Sequence, residues 1–155
     1  MNNRFLFPHH FKMIGWAILV PATVVGLLSL FFDFTLFELE VPVFAVFEDY
    51  LFEPKNSFTF IQNNIYDEVI SGLVVIGGLM AAFSKEKYED EYIAQIRLES
   101  LLWATYINYG FLLFSILFIY GMGFYQIMVL NMFTLLFIFL VRFNFILYKS
   151  ARAVA

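Results

Sequence analysis

The chain has 155 residues, enough for one domain, and 62% of them are hydrophobic, 21% aromatic and only 14% charged. Water-soluble domains average roughly 45–50% apolar residues, and a chain this short has too little interior to hide such an excess, so lipid is the solvent its composition demands. The absence of cysteine excludes disulfides, thiol catalysis and cysteine-ligated clusters, and a net charge of −4 with scattered basic residues argues against direct nucleic-acid binding.

Four segments are apolar for about 20 residues, the length that crosses a hydrocarbon layer of roughly 30 Å. The first covers residues 13–32 and contains Pro21, which removes one helical hydrogen bond and is expected to kink it. It is too long for the core of a cleaved signal and no small-residue cleavage site follows, so it reads as a retained helix. The second covers 65–83, with Asn64 as N-cap and Asp67 three positions on. Ser71, Gly72 and the pairs Gly77/Ala81 and Gly78/Ala82 give it a face on which another backbone can approach closely. The third and fourth cover 101–120 and 124–145, and Gly121-Met-Gly123 leaves room only for a tight turn between them.

Two connections carry the remaining character. In the outer loop, 33–64, Phe37, Leu39 and Val41 alternate with Glu38 and Glu40, and a second extended run, Ser57-Phe-Thr-Phe-Ile61, follows a turn-like Glu53-Pro-Lys-Asn56. The pattern is that of a small β-hairpin lying against the lipid interface or the helix ends. The inner loop, 84–100, has no Gly or Pro and is rich in helix formers. Helical spacing puts Ile93, Ile96 and Ser100 on one face with Glu89 and Arg97 close by, so the second and third helices are expected to continue into a helical connection.

Orientation follows from the cations. Arg4 and Lys12 precede the first span, Lys85, Lys87 and Arg97 lie between the second and third, and Arg142, Lys149 and Arg152 follow the fourth, while only Lys55 falls in the outer loop. With four crossings these clusters share one side, which the positive-inside rule makes cytoplasmic. The expectation is one all-α membrane domain over residues 1–155, a four-transmembrane-helix bundle with a small extracytoplasmic β-hairpin-like loop. It would sit in the bacterial inner membrane with both termini cytoplasmic.

Several polar residues invite a role. Arg142 lies about 27 Å down the fourth helix, close in depth to Glu99, and a cross-helix ion pair competes with snorkelling of Arg142 to headgroups. Asn108, counted about 10 Å from the inner end of the third helix, and Asn131, counted about 9 Å from the outer end of the fourth, fall at different depths. Ser115 matches Asn131 instead, and that pair is expected to hydrogen-bond. Lys85, Lys87, Glu89, Asp90, Glu91 and Arg97 form a charged partner surface, or simply a solvated helix face. His9 and His10 read as interfacial residues, and Asp67 and Glu68 as complements to a helix dipole. No carboxylate lies at the middle of a span, and no catalytic signature, metal set or cofactor motif is present, so no catalytic, cofactor or metal residue is expected.

Arg4-Phe-Leu-Phe-Pro8, Ile14-Gly-Trp16, Phe83-Ser-Lys-Glu-Lys87 with Glu89-Asp-Glu91, Arg97-Leu-Glu-Ser-Leu101 with Trp103, Tyr106-Ile-Asn-Tyr109, Asn131-Met-Phe-Thr134 and Arg142-Phe-Asn144 run through nearly the whole chain. In these stretches it resembles a family of small, uncharacterised bacterial four-helix membrane proteins. The resemblance implies a multi-pass fold and no transferable activity. Similar proteins are often encoded beside a short helix-turn-helix regulator, which implies a cytoplasmic regulatory partner and assigns no residue. The functional expectation is therefore a non-enzymatic scaffold, accessory subunit or signalling partner, in contact with lipid and with another membrane or cytoplasmic protein. The alternative is a small transporter or channel, a homo-oligomer with a polar path through Thr105, Asn108, Ser115 and Asn131. A lipid-modifying enzyme ranks behind both.

Overall fold

The computed structural model describes residues 6–32, 35–48, 56–87 and 89–154. Its elements, in chain order, are helix α1 (His10–Phe32), strands β1 (Glu40–Glu48) and β2 (Asn56–Asn64), and helices α2 (Tyr66–Ala82), α3 (Glu91–Phe118) and α4 (Met122–Val154). Among the described residues three stretches are long and apolar enough to cross a membrane, His10–Phe32, Glu91–Phe118 and Met122–Ser150. The fourth expected span falls short, because α2 has only 17 residues, about 26 Å at 1.5 Å per residue.

The chain forms two compact units, Met1–Val20 with Val74–Ala155, and Pro21–Leu73. The boundary falls inside α1 and inside α2, so each helix contributes a half to both units.

In the first unit the beginning of α1 meets the end of α2 almost backbone to backbone. A Cβ on Gly15 would stand 2.5 Å from the Ala81 nitrogen and 2.8 Å from the Gly77 oxygen, and one on Gly77 would stand 2.9 Å from the Leu19 nitrogen. The small residues of α2 are thus used within the chain, on Gly15 of α1 and, through Gly78, on Leu136 of α4. α3 and α4 are joined through Gly121, whose φ of 71° is the left-handed conformation that glycine adopts without a Cβ clash. Leu19, Ala82, Ile96, Ala104, Phe139, Leu140 and Phe143 are buried. The rings of Phe83, Phe139 and Phe143 stack in series at 5.7 Å between neighbouring centroids.

The inner connection is half of what its composition predicts. α3 takes in residues 91–100, started by Asp90, whose side chain accepts from the Ile93 N–H at 2.8 Å. α2, however, stops at Ala82. The chain beyond it pairs with the segment before α1 in a parallel bridge, with the Phe7 N–H donating to Phe83 O and the Lys85 N–H to Phe7 O, each at 2.9 Å. Backbone groups satisfied by a second strand-like segment have no need of a further helical turn.

The second unit holds the expected hairpin. β1 and β2 are antiparallel, with Phe44 opposite Phe60 and Glu40 opposite Asn64. Of the alternating run 37–41 only Glu40 and Val41 belong to the strand, and Glu53, Pro54 and Lys55 of the anticipated turn lie outside the described residues. The Asn64 side-chain oxygen accepts from the Tyr66 N–H and the Leu39 N–H, both at 3.2 Å, and fastens the hairpin to the helix, but the cap position of α2 falls on Ile65, whose carbonyl accepts from the Val69 N–H. Phe37 meets buried Tyr66 edge-on at 5.0 Å. One hairpin face presents Phe44, Val46, Phe58 and Phe60 exposed.

Gly15→Val is expected to separate α1 from α2 and destabilise the protein by about 1–3 kcal/mol. Gly72→Ala, where a Cβ meets nothing within 4 Å, is expected to be neutral or slightly stabilising. Thermal unfolding of both variants in mild detergent checks the pair.

Candidate functional site

Asp90 starts α3 ten residues before the apolar stretch, and this brings Arg97 onto the buried side of the helix with Ile96, Ser100 and Ala104. Arg97 is 9% exposed. A guanidinium in that position needs a countercharge, and Glu89 supplies one. Arg97 Nη1 donates to Glu89 Oε1 at 2.6 Å and Nη2 to Oε2 at 3.2 Å, with a further bond from Nη2 to Ser84 O at 3.3 Å. The two-point fork is the strong form of a charge-assisted contact. Glu89 Oε2 also accepts from the Glu86 N–H at 2.9 Å.

A second ion pair joins the first turn of α1 to this connection, with Lys12 Nζ 2.5 Å from Glu86 Oε1. Both cations use the same ring, as Arg97 lies 5.1 Å and Lys12 6.0 Å from the Phe143 centroid. His9 Nδ1 donates to Lys85 O at 3.0 Å, which fixes a proton on that nitrogen. Ser84 closes the end of α2 by donating to Met80 O. The first turn of α1 through Lys12, the α2–α3 connection, α3 and α4 therefore converge on Arg97 and Phe143.

Burial raises the Glu89 carboxyl's pKa, but the Arg97 hydrogen bonds, the Glu86 N–H and the charges of Arg97 and Lys85 outweigh it and hold the group below the ordinary carboxylate value. The arrangement fastens the α2–α3 connection to α3, and leaves Arg97 Nε and Ser100 Oγ buried without a partner. Among the described residues no group of three or more His, Asp or Glu side chains could hold a metal ion.

The candidate partner surface divides accordingly. Arg97 and Glu89 face inward and bind each other, which removes them from it, whereas Lys87, Asp90 and Glu91 are exposed and Lys85 is half-buried. Hydropathy ranks all six alike, and only the packing of α4 through Phe143 separates them. Glu99 accepts from Gln95 Nε2 at 2.9 Å, and Arg142 lies 4.7 Å from the Trp103 ring centroid instead of meeting Glu99.

The asparagine expectation is overturned. Asn131 Nδ2 donates to Asn108 Oδ1 at 3.3 Å, while Ser115 Oγ turns back to Phe111 O at 2.9 Å. The reason is depth. α3 ends at Phe118 and α4 restarts at Met122, so both asparagines lie about 14–15 Å from the turn. Placing the turn a few residues later moves them apart on paper. Lys12, Ser84, Phe143 and Trp103 were not legible as members of these contacts. Arg97 itself carried a signal, as a cation sharing a helical face with Ile93 and Ser100.

Glu89→Gln leaves Arg97 buried without a countercharge and is expected to cost about 3 kcal/mol at neutral pH. Because the folded-state pKa of Glu89 is depressed, its contribution is complete above about 4.5, the ordinary value, and is lost as pH falls through the lower folded value. The stability gap between wild type and Glu89→Gln should therefore be constant above pH 4.5 and shrink below it, as read from denaturation midpoints across pH. Comparison with protein-family models, with curated proteins and with solved structures gives no match.

Proposed function

We propose that the chain is a non-enzymatic integral protein of the cytoplasmic membrane that serves as a scaffold, accessory subunit or signalling partner, presenting the start of α3 to another protein. Support for the membrane reading comes from α1, α3 and α4, which carry large apolar side chains on their exposed surfaces, among them Met13, Phe31, Leu113, Met132 and Val141. Water would oppose this arrangement and a hydrocarbon layer satisfies it. α2, at about 26 Å, is at the lower limit for a crossing. A return through α2 fits the bridge between Phe7 and Ser84, which puts the end of α2 beside the segment that precedes α1. With the α3–α4 hairpin this makes four crossings and two cytoplasmic termini, the side on which the basic clusters belong.

The observation that carries the partner reading is the Arg97–Glu89 pair, because it fixes the α2–α3 connection from behind. Asp90, Glu91, Tyr92 and Glu99 remain exposed in front of it. A rigidly held acidic face with an aromatic residue suits a basic or amphipathic segment of a partner. The transporter reading has less support. Thr105, Ser115 and Thr134 donate to carbonyls of their own helices, and Asn108 and Asn131 bond each other, so the polar series closes on itself. The groove of about 200 Å³ between α2, α3 and α4 is lined by Val75, Leu79, Leu101, Leu136 and other apolar side chains.

Two experiments test the reading. A reporter fused after Ala155 is expected to be active in the cytoplasm, and a periplasmic signal would overturn the four-crossing topology. A photo-crosslinker at Tyr92 in native membranes is expected to give a discrete protein adduct that charge reversal by Glu91→Lys and Glu99→Lys abolishes. Adducts with lipid alone, or an adduct indifferent to the reversal, would refute the partner surface.

A further inference from the structure

Arg142 and Arg97 are treated in opposite ways. Arg97 spends its guanidinium on a carboxylate and a carbonyl. Arg142 has no carboxylate within 4.0 Å and no hydrogen-bond acceptor among the described residues, and its Nε, like that of Arg97, is buried without a partner. Its guanidinium lies 4.7 Å from the Trp103 ring centroid, a contact that positions it while leaving its donors unused among the described residues. Glu99, the nearest candidate in sequence terms, is engaged by Gln95.

The surroundings have one sign. α4 contains no Asp or Glu, and its cations, Arg142, Lys149 and Arg152, all lie in its last 13 residues. Lys149 is seven positions beyond Arg142, about two turns and therefore on the same face, and it is exposed. Arg152 lies 4.6 Å from the Tyr148 ring and has no carboxylate partner among the described residues. Along α4, Arg142 is about 30 Å from Met122, the thickness of a hydrocarbon core, so the guanidinium falls at the level of headgroups. On the same side of α3 as Trp103, helical spacing places Ile107, Gly110 and Phe114. All four are exposed, and a Cβ on Gly110 would meet nothing within 4 Å.

We propose that Arg142, held on Trp103 and supported by Lys149, is a binding site for the phosphate of an anionic phospholipid. An acyl chain of that lipid would lie along Ile107, Gly110 and Phe114. A guanidinium fork matches two phosphate oxygens, and the neighbouring cations favour a lipid of net negative charge over a zwitterionic one, whose own cation they would repel. The site rests on the membrane reading above.

Native mass spectrometry of the detergent-purified full chain, titrated with phosphatidylglycerol or phosphatidylcholine of identical chains, tests it. The wild type is expected to retain phosphatidylglycerol in preference, and Arg142→Gln to reduce that preference about fivefold. Arg142→Lys keeps the charge but loses the fork, and is expected to fall between the two. It provides the comparison if Arg142→Gln does not fold. Equal retention of both lipids by the wild type, or a preference untouched in whichever variant folds, would overturn the site. Alkaline carbonate extraction separates the two failures, because release of the protein from membranes refutes the membrane reading, whereas a retained protein without lipid preference refutes the site alone.

Discussion

The inner end of the first unit depends on the cost of burying Arg97. Removing a charge from water costs several kcal/mol unless a countercharge and hydrogen bonds replace the lost hydration. Glu89 and Ser84 O provide them, and Phe143 covers the guanidinium. That requirement fixes the connection between α2 and α3, which composition alone would allow to be a continuous helix. It also explains why α3 starts at Asp90, since the cap sets the phase that turns Arg97 inward.

Close backbone approach does the complementary work along the helices. In the membrane setting proposed above, lipid offers no hydrophobic drive for one helix to leave it for another, so packing must come from fit. Gly15 against Gly77 and Ala81 gives that fit between α1 and α2, and Gly78 receives Leu136 of α4. The bridge from Phe7 to Ser84 extends the same contact beyond the helix ends, where Lys12–Glu86 adds an ion pair. The sole buried polar bond between α3 and α4 among the described residues, Asn108 to Asn131, stands at one depth in the hairpin and ties its register.

Much of this was legible. The apolar stretches of α1, α3 and α4, the glycine turn at Gly121 and the hairpin strands follow from local pattern and are present, whereas α2 is short for a span and its cap position falls on Ile65 rather than Asn64. The contacts of the site were less so. Glu89 and Arg97 were recognisable as lying close to one helical face, but as part of a charged surface, and a Glu99–Arg142 pair competed by depth with snorkelling of Arg142. Trp103 displaced it, because a guanidinium can lie on an aromatic face as well as against a carboxylate.

By itself the sequence determined that these helices and a hairpin form and which stretches are apolar, though not every boundary, since hydropathy, periodicity and turn chemistry act over a few residues. Tertiary structure alone decided that α2 ends at Ala82, that Arg97 turns inward while Arg142 stays unpaired, and that Asn108 reaches Asn131. Those outcomes depend on which helix lies opposite and at what height. A shift of two residues at a turn moves a side chain about 3 Å along its partner and 200° around the axis, more than a hydrogen bond tolerates.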